Sequence, residues 1–278
     1  MKLYGIDIPI RNVPKLDADF IPLLQFNRAF RKDAKQPLSV AVERSNGQIA
    51  TYHTAIHGTP EMTQADHYYI HRLVKTVLWM KGGFRIYISG DKSVYEDIKE
   101  AYSVGGARDF DRDFMESVFE RPFEVVYCDE VPEENTSSES IGKHVHGNRI
   151  GFDVGGSDLK VSAVVNGETV FSTETVWLPK LNSDPKYHYD HICDSLQEAA
   201  QHLASVDGVG ISASGVIVVN KSMVSHVYNK VKEADPELFE KTIKNIYLRT
   251  VKDCFGDVPM AVCNDGDVTA LAGAMSFD

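Results

Sequence analysis

The stretch "GNRIGFDVGGSDLKVSAVVNGETVF", Gly147 to Phe171, sets a carboxylate and two glycines between two apolar runs. The runs "RIGFDV" (Arg149–Val154) and "LKVSAVV" (Leu159–Val165) predict strands. "TVFSTETVW" (Thr169–Trp177) follows across Asn-Gly, a strong short hairpin signal. Downstream, Ile192, Leu196, Ala199, Ala200 and Leu203 recur at helical spacing, and "GVGISAS" reads as a short buried strand. A second helix is predicted from Asp235-Pro236, with Asp as cap and Pro at the first helical position. It runs through Phe239, Ile243, Ile246, Tyr247 and Val251 to a stop near Gly256. "VPMAVCN" is another strand, and "DVTALAGAM" begins as a helix. Three adjacent antiparallel strands followed by right-handed strand–helix–strand crossovers build a mixed sheet covered by helices, an α/β layer architecture.

The residues before this stretch repeat a shorter version. "LSVAVERSNGQIATYHTAI" (Leu38–Ile56) sets beside "LKVSAVVNGETVFSTETVW" (Leu159–Trp177): strand, Asn-Gly, strand. A helix with Ile70, Leu73, Val74, Val77 and Leu78 follows, then the strand "FRIYISG", the helix "SVYEDIKEAY" and the strand "FEVVYC". Two copies of one α/β unit account for this order, against coincidence between common folding units. Between the copies, "DEVPEENTSSESIGKHVHGN" is polar and rich in Pro, Ser and Glu. The predicted organisation is a reduced first lobe over 1–131, a linker over 132–147 and a second lobe over 148–278. The His144-x-His146 pair reads as solvated loop rather than metal half-site, because no carboxylate or Cys lies at ligand spacing.

Composition sets outer bounds. With 278 residues and 43% hydrophobic content the chain can bury one large core or two modest ones. Lys and Arg number 29 against 40 acidic residues, a net charge of -11. That balance argues against a nucleic-acid partner, which needs cations to neutralise phosphates. No run approaches a membrane span of about 18 apolar residues, and no signal peptide opens the chain, so no membrane partner is expected. The four Cys are widely spaced without a C-x-x-C pair, which suits a reduced, cytoplasmic protein.

Three stretches carry candidate chemistry. In the first, Gly155 and Gly156 let backbone N–H groups approach an anion, Ser157 can donate to a phosphate oxygen, and Lys160 can add charge or lie on the exposed strand face. Asp153 can hold Mg²⁺, usually through water. A tight hairpin turn is the plain alternative. In the second, Asn264-Asp265 ends a strand where a helix begins, and strand carboxyl ends are where ligands collect in α/β sheets. Asp265 can accept a proton from a substrate hydroxyl and Asn264 can hydrogen-bond its neighbours, against simple helix capping. In the third, "DGVGISASGVIVVNKSM", small residues near Ser214-Gly215 leave room for a polyhydroxylated ligand.

In this order, "GFDVGGSDLK", "VGISASGVI" and "VCNDGDVTALAGA" resemble motifs of the ROK family of sugar kinases, within the actin-like, sugar-kinase and chaperone ATPase superfamily. The resemblance spans about Asn148 to Met275. It implies an actin-like (ribonuclease H-like) α/β fold in two related lobes with a cleft between them. It also implies ATP-dependent phosphorylation of a sugar. Asp153 would hold Mg²⁺, Gly155, Gly156 and Ser157 would face ATP phosphates with Lys160 adding charge, and Asp265 would be the general base. Ser214, Gly215, Asn264 and Asp265 would line the sugar. The implied partners are a small-molecule sugar and a nucleotide, with a homo-oligomer left open.

The pattern departs from the family at several places. Val216, Ile217 and Val218 follow where an Asp is usual, and Cys263 replaces an acidic residue. The family's second half, with its phosphate loop and zinc cluster, is not seen after Ala274. "HRLVKTVLWMKGGFRIYISGDKSVYEDIKEAYS" resembles the family's adenosine-side stretch, but "VAVERSNGQ" stands where a G-T-G loop is expected. Alternatives are a non-catalytic sugar sensor or scaffold on this fold, a truncated kinase, and an ATPase activator or amino-sugar kinase.

Overall fold

Both predicted hairpins turn at their Asn-Gly dipeptides. In the computed structural model, which describes residues 1–136 and 145–276, Asn46 and Gly47 have φ of 61° and 66°, and Asn166 and Gly167 have 50° and 90°. Left-handed values at both central residues suit the twist of the strands they join. His144 of the candidate metal pair lies outside the described residues. The chain divides into two units, Met1–Ser138 and Glu139–Asp278.

In the first unit, β1 (Lys2–Leu3) and β2 (Ile6–Asp7) form a small hairpin before α1 (Leu23–Asp33), which buries Phe26 and Phe30 one turn apart. Then come β3 (Gln36–Glu43), β4 (Ile49–Ile56), α2 (Thr63–Lys81), β5 (Arg85–Ser89), α3 (Lys92–Ala101), α4 (Asp109–Phe119) and β6 (Glu124–Tyr127). Leu38, Val40 and Val42 alternate into the core. Ile70, Val74 and Leu78 of α2 join them, whereas Leu73 and Val77 are only half-buried on its flank. Asp91 caps α3 by accepting from the Ser93 and Val94 amides. The first part of the expected linker is tied down: Asn135 pairs with Ile49 and Thr51 Oγ1 donates to the Pro132 carbonyl.

The second unit runs β7 (Asn148–Val154), β8 (Asp158–Val165), β9 (Glu168–Val176), α5 (Pro185–Ala200), β10 (Gly208–Ala213), β11 (Val216–Val218), β12 (Lys221–Val224), α6 (Asn229–Ala234), α7 (Pro236–Leu238), α8 (Ile246–Phe255), β13 (Met260–Asn264) and α9 (Asp265–Ser276). The main sheet has the order β13-β10-β7-β8-β9, with β7, β8 and β9 antiparallel and β10 and β13 parallel to β7. This is the mixed sheet with flanking helices that the sequence predicts.

The helix expected from Asp235 to Gly256 is broken. Phe239, Ile243, Ile246, Tyr247 and Val251 all reach the core at the expected spacing. Between α7 and α8, however, Phe239–Ile243 is a π-helical stretch and Asn245 leaves helical geometry. The Lys244 carbonyl accepts from the Ser222 amide of β12 at 2.9 Å, so a sheet strand takes an acceptor that a continuous helix would use internally.

The first unit's sheet, β4-β3-β5-β6, differs in one respect. Its β3 is antiparallel to both β4 and β5, and β5 is parallel to β6. Setting β3 and β4 against β8 and β9, as their sequences align, puts β5 and β6 at the places of β10 and β13. No described strand of the first unit then corresponds to β7, and β5 closes directly onto β3. The strand that leads into the Gly-Gly turn in one unit is thus without a counterpart among the described strands of the other.

Behind the second sheet, His188 of α5 is buried between Trp177 and Tyr228. Its Nε2 lies 3.2 Å from the Asn182 carbonyl, and its Nδ1 has no partner among the described residues. Burial pushes this imidazole below its usual value, so the folded chain keeps it neutral. The unfolded chain protonates it near pH 6.5, so stability is full above that pH and falls below it until the folded value is reached. Urea unfolding should show a loss of up to about 1.4 kcal/mol per pH unit from this group, and His188→Phe should remove that part of the slope. An unchanged slope in the variant would refute the assignment.

Candidate functional site

The two faces of the second sheet differ in chemistry, as period-two alternation dictates. Ile150, Phe152, Val154, Val209, Ile211 and Val262 face the core under α5 and α8. The opposite face presents the residues between them. Ser162, Gly151, Gly210 and Ala261 form one cross-strand row, and Lys160, Asp153, Ser212 and Cys263 form the next. The small residues leave a hollow of about 400 Å³ on that face, with Val268 and Leu271 of α9 at its side. Space is open where a Cβ at Gly210 would lie.

The parallel strands bring three turns to one edge. Val154, Ala213 and Asn264 are partners in register across β7, β10 and β13. The residues that follow them are Gly155, Ser214 and Asp265, in the order of the three predicted motifs. Neighbouring strands lie about 4.8 Å apart, which sets the Gly-Gly turn and Asp265 about 10 Å apart.

The Gly-Gly turn is held by Trp177, a residue that the motif analysis missed. Its amide donates to the Ser157 carbonyl at 3.1 Å, and its Nε1 donates to the Gly155 carbonyl at 2.9 Å. The Gly155 amide donates within the turn to the Asp158 carbonyl and is therefore not offered outward. The amides of Gly156 and Ser157 donate to no backbone carbonyl among the described residues. Neither glycine needs positive φ; the turn needs their missing side chains. A Cβ at Gly155 would lie 2.7 Å from the Asp158 carbonyl oxygen, and one at Gly156 would lie 3.0 Å from Lys180 Nζ.

Lys160 takes the strand-face place foreseen for it, and a second lysine, Lys180, is the cation nearest the Gly-Gly turn. Lys160 stands opposite Asp153 on the polar face, and its ammonium bonds the Asp158 carboxylate. That ammonium holds the Asp158 carboxyl below the usual carboxylate range, and Ser157 Oγ adds a hydrogen bond at 3.2 Å. Lys180 reaches the Gly-Gly turn and makes no ion pair with a described residue. Only its place three residues after the Trp at the strand end hinted at it.

At the other turns, Asn264 is committed to the backbone. Its Nδ2 donates to the Gly215 carbonyl at 2.8 Å and its Oδ1 accepts from the Gly266 amide at 2.8 Å. It therefore ties the Ser214-Gly215 turn to the start of α9. Gly215 has φ 109°, and a Cβ there would meet the Val224 carbonyl at 2.0 Å, so the turn sits directly on β12. Ser214 Oγ is shielded and has no hydrogen-bond partner among the described residues. Asp265 is exposed at the first turn of α9. Burial pushes the Cys263 thiol up, with Asp267 adding to the effect, so it does not replace the missing carboxylate as a charge.

No family model and no curated protein matches the chain. Among solved structures it is similar to a proposed sugar kinase of Cytophaga hutchinsonii, at 19% identity over 45% of this chain and 38% of that one, with a TM-score of 0.35. It is similar to the ROK hexokinase of Thermus thermophilus at 12% identity, over 45% and 37%, with a TM-score of 0.33. A Bacteroides thetaiotaomicron protein with an actin-like ATPase fold and unknown function shares 10% identity over 47% and 38%, with a TM-score of 0.23. The chain spans less than two fifths of the length of each of these proteins. Its structural neighbours thus include sugar kinases and a protein of actin-like fold. No described helix is long and apolar enough to cross a membrane.

Proposed function

We propose that the second unit carries the phosphate and sugar side of an ATP-dependent sugar kinase, with Asp265 as general base. The supporting observation is the in-register set of strand ends, which places the Gly-Gly turn, Ser214-Gly215 and Asp265 along one sheet edge. In this reading the free amides of Gly156 and Ser157, with the Lys180 ammonium, receive ATP phosphate oxygens. The unpartnered Ser214 hydroxyl is offered to a sugar hydroxyl, and Asn264 positions that turn instead of binding sugar itself. The exposed Asp265 carboxylate takes the proton from the attacking hydroxyl.

Among the described residues no group of three His, Cys, Asp or Glu converges on a metal position. Mg²⁺ keeps most of its waters and needs only one or two carboxylates besides the phosphates, so Asp153 alone fits as its protein contact. The metal would supply charge neutralisation at the phosphates.

The second reading, a non-catalytic sugar-binding protein, draws on the absence of a β7 counterpart among the described strands of the first unit, and with it of a second phosphate turn. Calorimetric titration of Mg·ATP into the chain separates the two. Saturable binding that Asp153→Ala and Lys180→Ala each weaken is the expected result. Sugar binding without any nucleotide binding would overturn the kinase in favour of the second reading.

A further inference from the structure

The first unit holds a hollow unrelated to the strand-end site. It lies between α1, α2 and the outer strand β4 and encloses about 860 Å³, within the range of small-molecule sites. Leu23, Leu73, Val77 and Met80 make part of its wall apolar. Leu73 and Val77 are the two α2 residues whose helical spacing promised core positions and which the fold leaves on the flank.

The rest of the wall is basic. Arg28, Arg31, Lys32, Arg72 and Lys81 all line the hollow, and Glu134 is the single carboxylate among the described lining residues. None of the five cations forms an ion pair with a described residue, although ion pairs are common elsewhere on the chain. In a chain of net charge -11, this gathers positive charge without ion-pair partners on one local surface. Arg72 borders the hollow at one end, where its guanidinium also stands 5.3 Å over the Tyr68 ring. Asn27 adds a neutral polar group: its Oδ1 is shielded in the same wall without a hydrogen-bond partner.

Apolar wall and cationic rim call for different parts of one ligand. An apolar molecule alone would leave the cations without a counter-charge, and a bare anion would leave the Leu, Val and Met surface wet. We propose that this hollow binds an amphipathic anion: a small molecule with an acyl-chain or ring body and a phosphate-type head. The head pairs with Arg31 and Arg72, whose planar forks suit phosphate oxygens. The body lies on Leu73, Val77 and Met80.

The test is calorimetric titration of the full chain with octyl phosphate, octyl glucoside and inorganic phosphate. Octyl phosphate should bind saturably, about ten-fold or more tighter than either of the others. Arg31→Ala with Arg72→Ala should weaken it about ten-fold while leaving octyl glucoside unchanged. Both arginines are exposed, so the thermal transition of the variant should stay in place. Asp153→Ala and Lys180→Ala should leave octyl phosphate binding as it is, which separates this hollow from the strand-end turn. Equal affinity for octyl glucoside, equal affinity for inorganic phosphate, or indifference to the arginine changes would each overturn the proposal. So would sedimentation with phosphatidic acid vesicles in the absence of octyl phosphate binding, which would assign the patch to a membrane surface.

Discussion

Trp177→Ala is expected to lower the stability of the chain by about 3–5 kcal/mol, the largest stability loss of any change considered. The indole is 1% exposed and packs against Tyr187, His188 and His191 in the core behind the sheet. Truncation removes that apolar area and leaves a cavity that the surrounding rings cannot fill. It also deletes the Nε1 bond to the Gly155 carbonyl, while the main-chain bond to Ser157 survives. Trp177→Phe separates the terms: most of the ring volume stays and the hydrogen bond goes, at a cost of about 1 kcal/mol plus a smaller packing loss. Urea unfolding followed by far-ultraviolet circular dichroism reads both changes. A loss under about 1 kcal/mol for the alanine variant would mean that the Trp does not anchor the turn. Mg·ATP affinity should fall in Trp177→Phe even where the fold is intact, because the amides of Gly156 and Ser157 then lose their fixed direction.

Asp265→Asn should lower sugar-dependent ADP formation by about 10²–10⁴-fold, the usual contribution of a general base. The substitution keeps the shape of the side chain and an oxygen that can still accept from the Gly266 amide, now at 2.9 Å. Stability should therefore be unchanged, as should Mg·ATP affinity, since the Gly-Gly turn lies two strands away. Asn264→Ala should behave differently. It cuts the bonds to Gly215 and Gly266 together, so it should cost stability as well as rate. Full activity in Asp265→Asn would remove Asp265 from the chemistry. Absence of ADP formation with every hexose and amino sugar tried would remove the kinase reading.

The strands through Gly151, Gly210 and Ala261 were legible as short apolar runs bounded by turn residues; that Gly151, Asp153, Gly210, Ser212, Ala261 and Cys263 share one face came from their pairing in the sheet. The Asn-Gly turns were equally legible, since few dipeptides adopt two left-handed conformations in succession. The break in the helix at Lys244 was not. Its apolar spacing is uninterrupted, and the hydrogen bond that diverts its carbonyl comes from Ser222, more than twenty residues earlier. The β11–β12 hairpin was missed for a related reason. It turns at Val219-Asn220, both at positive φ, and a β-branched residue rarely stands there.

Local chemistry in the sequence thus determined the strands of the main sheets, the two Asn-Gly hairpins and the order of the three motifs, because each rests on neighbours within a few residues. Pairing across the sheet decided the rest. Register between β7, β10 and β13 set the Gly-Gly turn, Ser214 and Asp265 on one edge, from positions more than one hundred residues apart along the chain. It tied Asn264 to the Gly215 carbonyl, and the end of β9 brought Lys180 to the Gly-Gly turn. Side-chain partners of this kind follow from which strands lie adjacent, and that depends on how the whole core packs.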